Sequence, residues 1–184
     1  MPVSSIDGAY HSSFLEDADT RIIGNFALLP LKTRYKGPSF PPQDQEAGDI
    51  LDESLELFRA NTFFRNFTID GPSDRTLIYG ILFISDCLAR LNAKLTPRNE
   101  AVKIVNTLAL ESFAIPGEGG FPLNNVYAAP TSRPDADLLR QYLTQFRQEL
   151  AQRVVARVYK DDDQRPDKFW LAFTKRKFMG KTLN

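Results

Sequence analysis

Ser73 to Asn92, SDRTLIYGILFISDCLARLN, is the stretch whose reading decides the fold. Wound as a helix it places Leu77, Ile81, Ile84 and Leu88 on one face, while Ile78, Leu82 and Phe83 cover much of the remaining circumference. A helix that is apolar all round is buried, either in a protein core or in a membrane. A membrane span needs about 20 mainly apolar residues. Asp74, Arg75, Asp86 and Arg90 bracket a far shorter run, which excludes that reading. A buried strand of a parallel sheet is the competing interpretation. Against it stand the Pro72-Ser73-Asp74 start signal, the continuation through Cys87, Leu88 and Leu91 at helical spacing, and the lack of a βαβ rhythm elsewhere. Gly80 costs about 1 kcal/mol of helix propensity relative to Ala, so its use is close approach of a neighbouring helix. The expectation is a central buried helix, packed tightly at Gly80, with Leu77, Ile81, Ile84, Cys87 and Leu88 in the core.

Such a helix needs company on every side, and the flanking sequence supplies candidates. Asp49 is a good N-cap, and Asp52 and Glu53 complement the positive end of a helix that begins at Ile50. Leu51, Leu55, Phe58 and Thr62 form its stripe, with Phe63, Phe64 and Phe67 anchoring its end. Thr96 as cap and Pro97 at the first helical position open another, carrying Ala101, Ile104, Val105 and Leu108 to about Ser112. Pro134 with Asp135 and Asp137 starts the longest amphipathic pattern, ending near Tyr159. Leu139, Leu143, Phe146, Leu150, Val154 and Val158 face inward there, with Arg140, Arg147, Glu149 and Arg153 expected outside. Pro166 and Asp167 open a last short helix with Phe169, Trp170 and Phe173, followed by KRKFMGKTLN, read as a basic, exposed tail. Pro30, Pro38, Pro41 and Pro42 mark Met1 to Gly48 as irregular chain draped over the core, and Pro116, Gly117, Gly119, Gly120 and Pro122 make IPGEGGFPLNNVYAAP a shaped loop. The fold class expected is all-α: one central buried helix surrounded by about four amphipathic helices. A single domain spans 1–184, with 1–8 as a flexible extension.

The chain has 184 residues, 42% of them hydrophobic, enough for one substantial core. Lys and Arg total 23 and Asp and Glu total 23, so no global basic field draws it to nucleic acid. The single cysteine, Cys87, lies in the apolar run and forms no internal disulfide, which fits a reducing, intracellular setting. MPVSSIDGAYHSS lacks the basic and apolar regions of a secretory signal. Catalytic groups are scarce. His11 is the only histidine, so a metal centre or a Ser-His-Asp arrangement rests on it alone, and a surface or loop-bonded histidine is the better reading. Gly117 to Gly120 lead into Phe121-Pro122 rather than a phosphate-binding helix, and Gly180-Lys181-Thr182 has Lys175 where a Walker motif requires glycine. The residues therefore predict no enzyme, no cofactor and no metal.

Several words, in order, resemble the family of 21 kDa subunits of the Arp2/3 actin-nucleating complex. They are AYHSS from Ala9, IGNFALLPL from Ile23, YKGP from Tyr35, DRTLIY from Asp74, IPGEGGFPLN from Ile115, YLTQFRQEL from Tyr142, and KFW followed by KRKFM ending at Met179. The resemblance runs from about Ala9 to Leu183. The departures are the extension Pro2 to Gly8, and Gly119 and Phe169 where Pro and Trp are expected. The resemblance implies an all-helical fold with one helix surrounded by the others. It also implies a non-enzymatic subunit of a heteroheptamer that contacts actin-related proteins 2 and 3 and the other subunits, and supports the branch junction on an actin filament in the cytoplasm. Its partner-contact candidates are Tyr10, His11, Lys32, Arg34, Tyr35, Lys36, Lys175, Arg176 and Lys177. The alternative is a stand-alone module in which the 32–36 loop and Lys175, Arg176, Lys177 and Lys181 bind phosphoinositides or acidic peptides.

Overall fold

The computed structural model describes residues 10–14, 16, 19–62, 67–91 and 96–183. In chain order these form strands β1 (Arg21–Ile23) and β2 (Phe26–Leu28), helices α1 (Ile50–Thr62), α2 (Pro72–Leu91), α3 (Arg98–Leu110), α4 (Arg133–Val158) and α5 (Lys168–Leu171), and a 3-10 turn at Phe178–Gly180. The expected positions of Phe63, Phe64, Asn92 and the 1–8 extension lie outside the described residues.

The apolar run of the sequence becomes α2, which buries every residue from Thr76 to Leu88. It packs on α1, α3, α4, β2 and the 3-10 turn. Gly80 lies where three helices meet. A Cβ there would run into Ser54 of α1 and come within 3.3 Å of Phe146 Cζ of α4.

The fold is mostly helical, roughly as the all-α expectation has it, and adds a small antiparallel hairpin in which Arg21, Ile22 and Ile23 pair with Leu28, Ala27 and Phe26. Gly24 takes φ +61°, and a side chain there would strike the Ala128 carbonyl. The hairpin is held from below: Thr76 Oγ1 of α2 donates to the Ala27 carbonyl at 2.6 Å, and Ile23, Phe26 and Ala27 are buried.

The boundaries follow their chemistry. Asp49 Oδ1 accepts the Leu51 and Asp52 N–H groups, each at 3.1 Å, closing the start of α1. Ser132 Oγ accepts the Asp135 N–H at 3.2 Å at the start of α4. The α3 start differs from the expectation: Pro97 itself is the boundary residue and no side chain caps it. Thr96 turns inward instead, its carbonyl accepting the Tyr159 hydroxyl at 2.6 Å.

Two further expectations are corrected. Arg147, placed on the outer face of α4 by its charge, is fully buried. The tail is not uniformly exposed either, because Phe178 and Leu183 are buried and fasten it to the core.

Candidate protein-interaction surface

The polar groups fall into two sets, those engaged inside the fold and those presented outward. Tyr10 and His11 belong largely to the first group. Asn61 of α1 accepts the Tyr10 N–H at Oδ1 and donates from Nδ2 to the Tyr10 carbonyl, both at 2.9 Å. His11 Nδ1 lies 2.6 Å from Asp74 Oδ2 and 3.3 Å from Asp70 Oδ2, and its ring tilts against Phe67. Ser12 N–H donates to Asp74 Oδ1 at 2.7 Å, and Ser13 donates to Glu53 Oε2 through both its N–H and its hydroxyl. Asp70 N–H donates to Asp74 Oδ2 at 2.9 Å. His11, Asp70 and Asp74 are the described set whose donor atoms converge to within 4.8 Å, the geometry a metal ion would need. Those atoms already bond one another and the backbone around them, so the arrangement is a staple between residues 10–13 and the start of α2.

The 32–36 loop is pinned through its backbone and outward through its charges. Arg153 Nη2 donates to the Lys32 carbonyl at 2.6 Å, Lys32 N–H donates to Asp49 Oδ2 at 2.9 Å, and Gln145 Nε2 donates to the Tyr35 carbonyl at 3.0 Å. Arg34 and Lys36 are exposed, while Lys32 and Tyr35 are half-buried and line a shallow pocket of about 510 Å³ with Glu149. Beneath the loop, Arg153 bonds Asp49 at 2.5 Å, Asp52 at 3.0 Å and Glu149 at 3.2 Å. Burial alone would raise the Asp49 pKa, but its hydrogen bonds and charge interaction with Arg153 outweigh that and hold it below the usual carboxylate range.

The glycine-rich loop is shaped from within. Arg140 grips Glu118 with two bonds of 2.8 and 2.9 Å, Glu118 Oε1 accepts the Ile115 N–H at 2.8 Å, and Asn124 bridges Gly117 and Glu118. Gly117 takes φ +96°, which any side chain would resist.

The tail is tied to α2 through one backbone carbonyl and one side chain. Ser85 Oγ donates to the Arg176 carbonyl and Thr182 Oγ1 to Asp86 Oδ1, each at 3.1 Å. Lys175, Arg176 and Lys177 are exposed. Burial pushes the Asp86 carboxyl up to about 6, with Thr182, Arg147 and Arg90 opposing the shift, and pushes the Cys87 thiol far above its ordinary range. Cys87 is thereby kept an inert packing residue. Leu77, Ile81, Ile84 and Leu88 are likewise fully buried.

Three features escaped the sequence reading. Arg147 donates to the Leu108 and Ala109 carbonyls at 2.7 and 3.2 Å and to the Tyr79 hydroxyl at 3.3 Å, between the Phe83 and Phe113 rings. Arg59 lies over Phe169, Trp170 and Phe173. Phe169 and Phe40 stand out in solvent at 71% and 81% exposure. The hairpin escaped that reading as well, although it had a readable signal: Gly24-Asn25 between two apolar pairs matches a two-residue turn.

A helical chain whose polar residues are spent on staples, with charged and aromatic side chains turned outward, has the character of an assembly component. No helix among the described residues is long and apolar enough to cross a membrane. The family model for the ARP2/3 complex ARPC3 (21 kDa) subunit matches residues 8–183, and the chain belongs to that family. Actin-related protein 2/3 complex subunit 3 of Schizosaccharomyces pombe is 57% identical over 175 residues, covering 95% of this chain and 99% of the relative. The protein of that name in Saccharomyces cerevisiae is 56% identical over 179 residues with the same coverage. That of Dictyostelium discoideum is 48% identical over 177 residues. These similarities lend no support to the stand-alone anionic-ligand module.

Proposed function

We propose that the chain is a structural, non-catalytic subunit of an Arp2/3 complex, supporting actin nucleation and filament branching through protein contacts in the cytoplasmic actin cytoskeleton. The match to the family over residues 8–183 carries this reading. In it, α2 is the central member that the other helices surround, and partner contact falls to side chains at the surface of the fold. Lys32, Arg34, Tyr35 and Lys36 supply one such patch, and Lys175, Arg176 and Lys177 another. Tyr10 and His11 act at one remove, by fixing where the chain enters the domain. Native mass measurement of the complex purified through a tag on this chain tests the reading. One copy with actin-related proteins 2 and 3 and four further subunits is expected, and a monomer without those partners would overturn it.

A further inference from the structure

The segment after α4 combines exposed cations with an exposed aromatic ring. Residues 165–181 carry six cations, Arg165, Lys168, Lys175, Arg176, Lys177 and Lys181, against one acid. That acid, Asp167, is occupied: its Oδ1 accepts the Phe169 N–H at 2.7 Å, and its backbone N–H donates to the Val158 carbonyl at 2.8 Å. Trp170 and Phe178 are buried, but the Phe169 ring is 71% exposed. Beneath it the Arg59 guanidinium sits 5.8 Å from its centroid and 4.7 Å from that of Trp170, and Phe58 stacks on Trp170 at 6.0 Å. Arg59 makes no ion pair with any described carboxylate, and its Nε has no hydrogen-bond partner.

The segment is also held in place. Ser85 fixes the Arg176 carbonyl, and Phe178 is anchored against Phe67 at 5.8 Å between ring centroids. A projecting ring on a fixed backbone loses little freedom when it is covered, which favours its use as an interface anchor. The neighbouring acidic run points elsewhere, since Asp163 pairs with Arg98 at the start of α3 and Asp162 caps Gln164.

We infer that Phe169, with Lys168 next to it in sequence and the exposed Lys175 and Lys177 on the same segment, docks into an apolar socket rimmed by carboxylates on a neighbouring protein subunit. This rests on the subunit reading above and adds to it the anchor and the chemistry of its receptor. Charge complementarity fixes the sign of the rim and the exposed ring fixes the need for a socket. An anionic lipid surface fits less well. Membrane-surface binding draws on an extended amphipathic face, whereas α5 is one turn long and offers a single outward ring.

The test compares hydrogen exchange of residues 168–177 in the free full-length chain and in the purified complex. Slowing by roughly ten-fold or more on assembly is expected, together with a similar deficit of Phe169→Ala against wild type in competition for incorporation, as an anchor residue would give. Combined Lys175→Glu and Lys177→Glu should give a deficit that shrinks as salt rises. Each variant of the free chain should keep the wild-type melting temperature, because the altered side chains are exposed. Unchanged exchange at 168–177 in a complex that does contain the chain would overturn this inference and leave the subunit reading standing. Failure of the wild-type chain to enter any complex would overturn both. Slowing by vesicles containing phosphatidylinositol bisphosphate, and not by the complex, would assign the surface to lipid and refute the protein socket.

Discussion

Arg147 and Arg153 stand less than two turns apart on α4 and solve the same problem in opposite ways. Arg147 is fully buried and is held by the carbonyls of Leu108 and Ala109, the Tyr79 hydroxyl and two aromatic faces. Arg153 keeps 17% of its side chain exposed and gathers Asp49, Asp52 and Glu149. The first closes the C-terminal end of α3 with its positive charge, where carbonyls lack helical partners and the helix dipole is negative. The second clamps the 32–36 loop to α1 and α4. Fixed dipoles hold one joint and titratable charges hold the other, so the two joints should answer differently to mutation and to pH.

Arg147→Met is expected to have the largest effect. It leaves the α3 carbonyls and a buried hydroxyl without their donor, a loss of about 2–4 kcal/mol in urea unfolding. The loss should be somewhat larger at pH 8 than at pH 5, because Arg147 also favours the ionised Asp86, whose pKa is about 6, and a loss below about 1 kcal/mol would break the contrast. Arg153→Met leaves the Asp49 carboxylate buried without its cation and should cost about 2–3 kcal/mol at pH 7. Because Arg153 holds the Asp49 pKa below its ordinary 3.8, the stabilisation is present above that value and is lost as pH falls through the lower folded value. The gap between wild type and variant should therefore close in strong acid.

Asp86→Asn sharpens the same distinction with a carboxylate that lacks a close cation. Its pKa is raised to about 6 in the fold, so the wild type gains stability as pH falls from 7 through 6, and the gain levels off near the ordinary value of 3.8. The variant should show no such rise and should be more stable than wild type at pH 7 by on the order of 1 kcal/mol in thermal unfolding. Gly80→Ala is the smallest case. Overpacking against Ser54 and Phe146 costs about 1–3 kcal/mol, and the gain in helix propensity offsets about 1 of that. Adding Ser54→Gly should remove the overpacking, giving a double-mutant cycle with a favourable coupling term.

The contrast also marks how far the sequence could be read. The interior of α2 and the crossing at Gly80 follow from local pattern, since an apolar run wound as a helix has one outcome. The Asp49 cap follows from local chemistry. Arg147 does not, because its position beside the stripe of α4 is decided by carbonyls at the end of another helix, a requirement visible only once the two pack. Thr96 fails as a cap for a similar reason: Tyr159, far along the chain, takes its carbonyl and turns it inward. Strands as short as β1 and β2 carry too few residues for alternation to register, and only their turn gave a signal. Outward features were legible in part. The cations of the tail show in composition, while the exposure of Phe169 beside buried Trp170 depends on a one-turn helix seated on Arg59.

The two ends of α2 are fastened by stretches from opposite ends of the chain. Residues 10–13 bond Asp74 and Glu53 near its start, while Ser85 and Asp86 near its finish receive Arg176 and Thr182. Asp74 and Asp86 are about 18 Å apart along the axis at 1.5 Å per residue. During synthesis the first fastening can be made early, but the second waits until Thr182 has left the ribosome. The basic segment is therefore the last of these stretches to take its place on the helix.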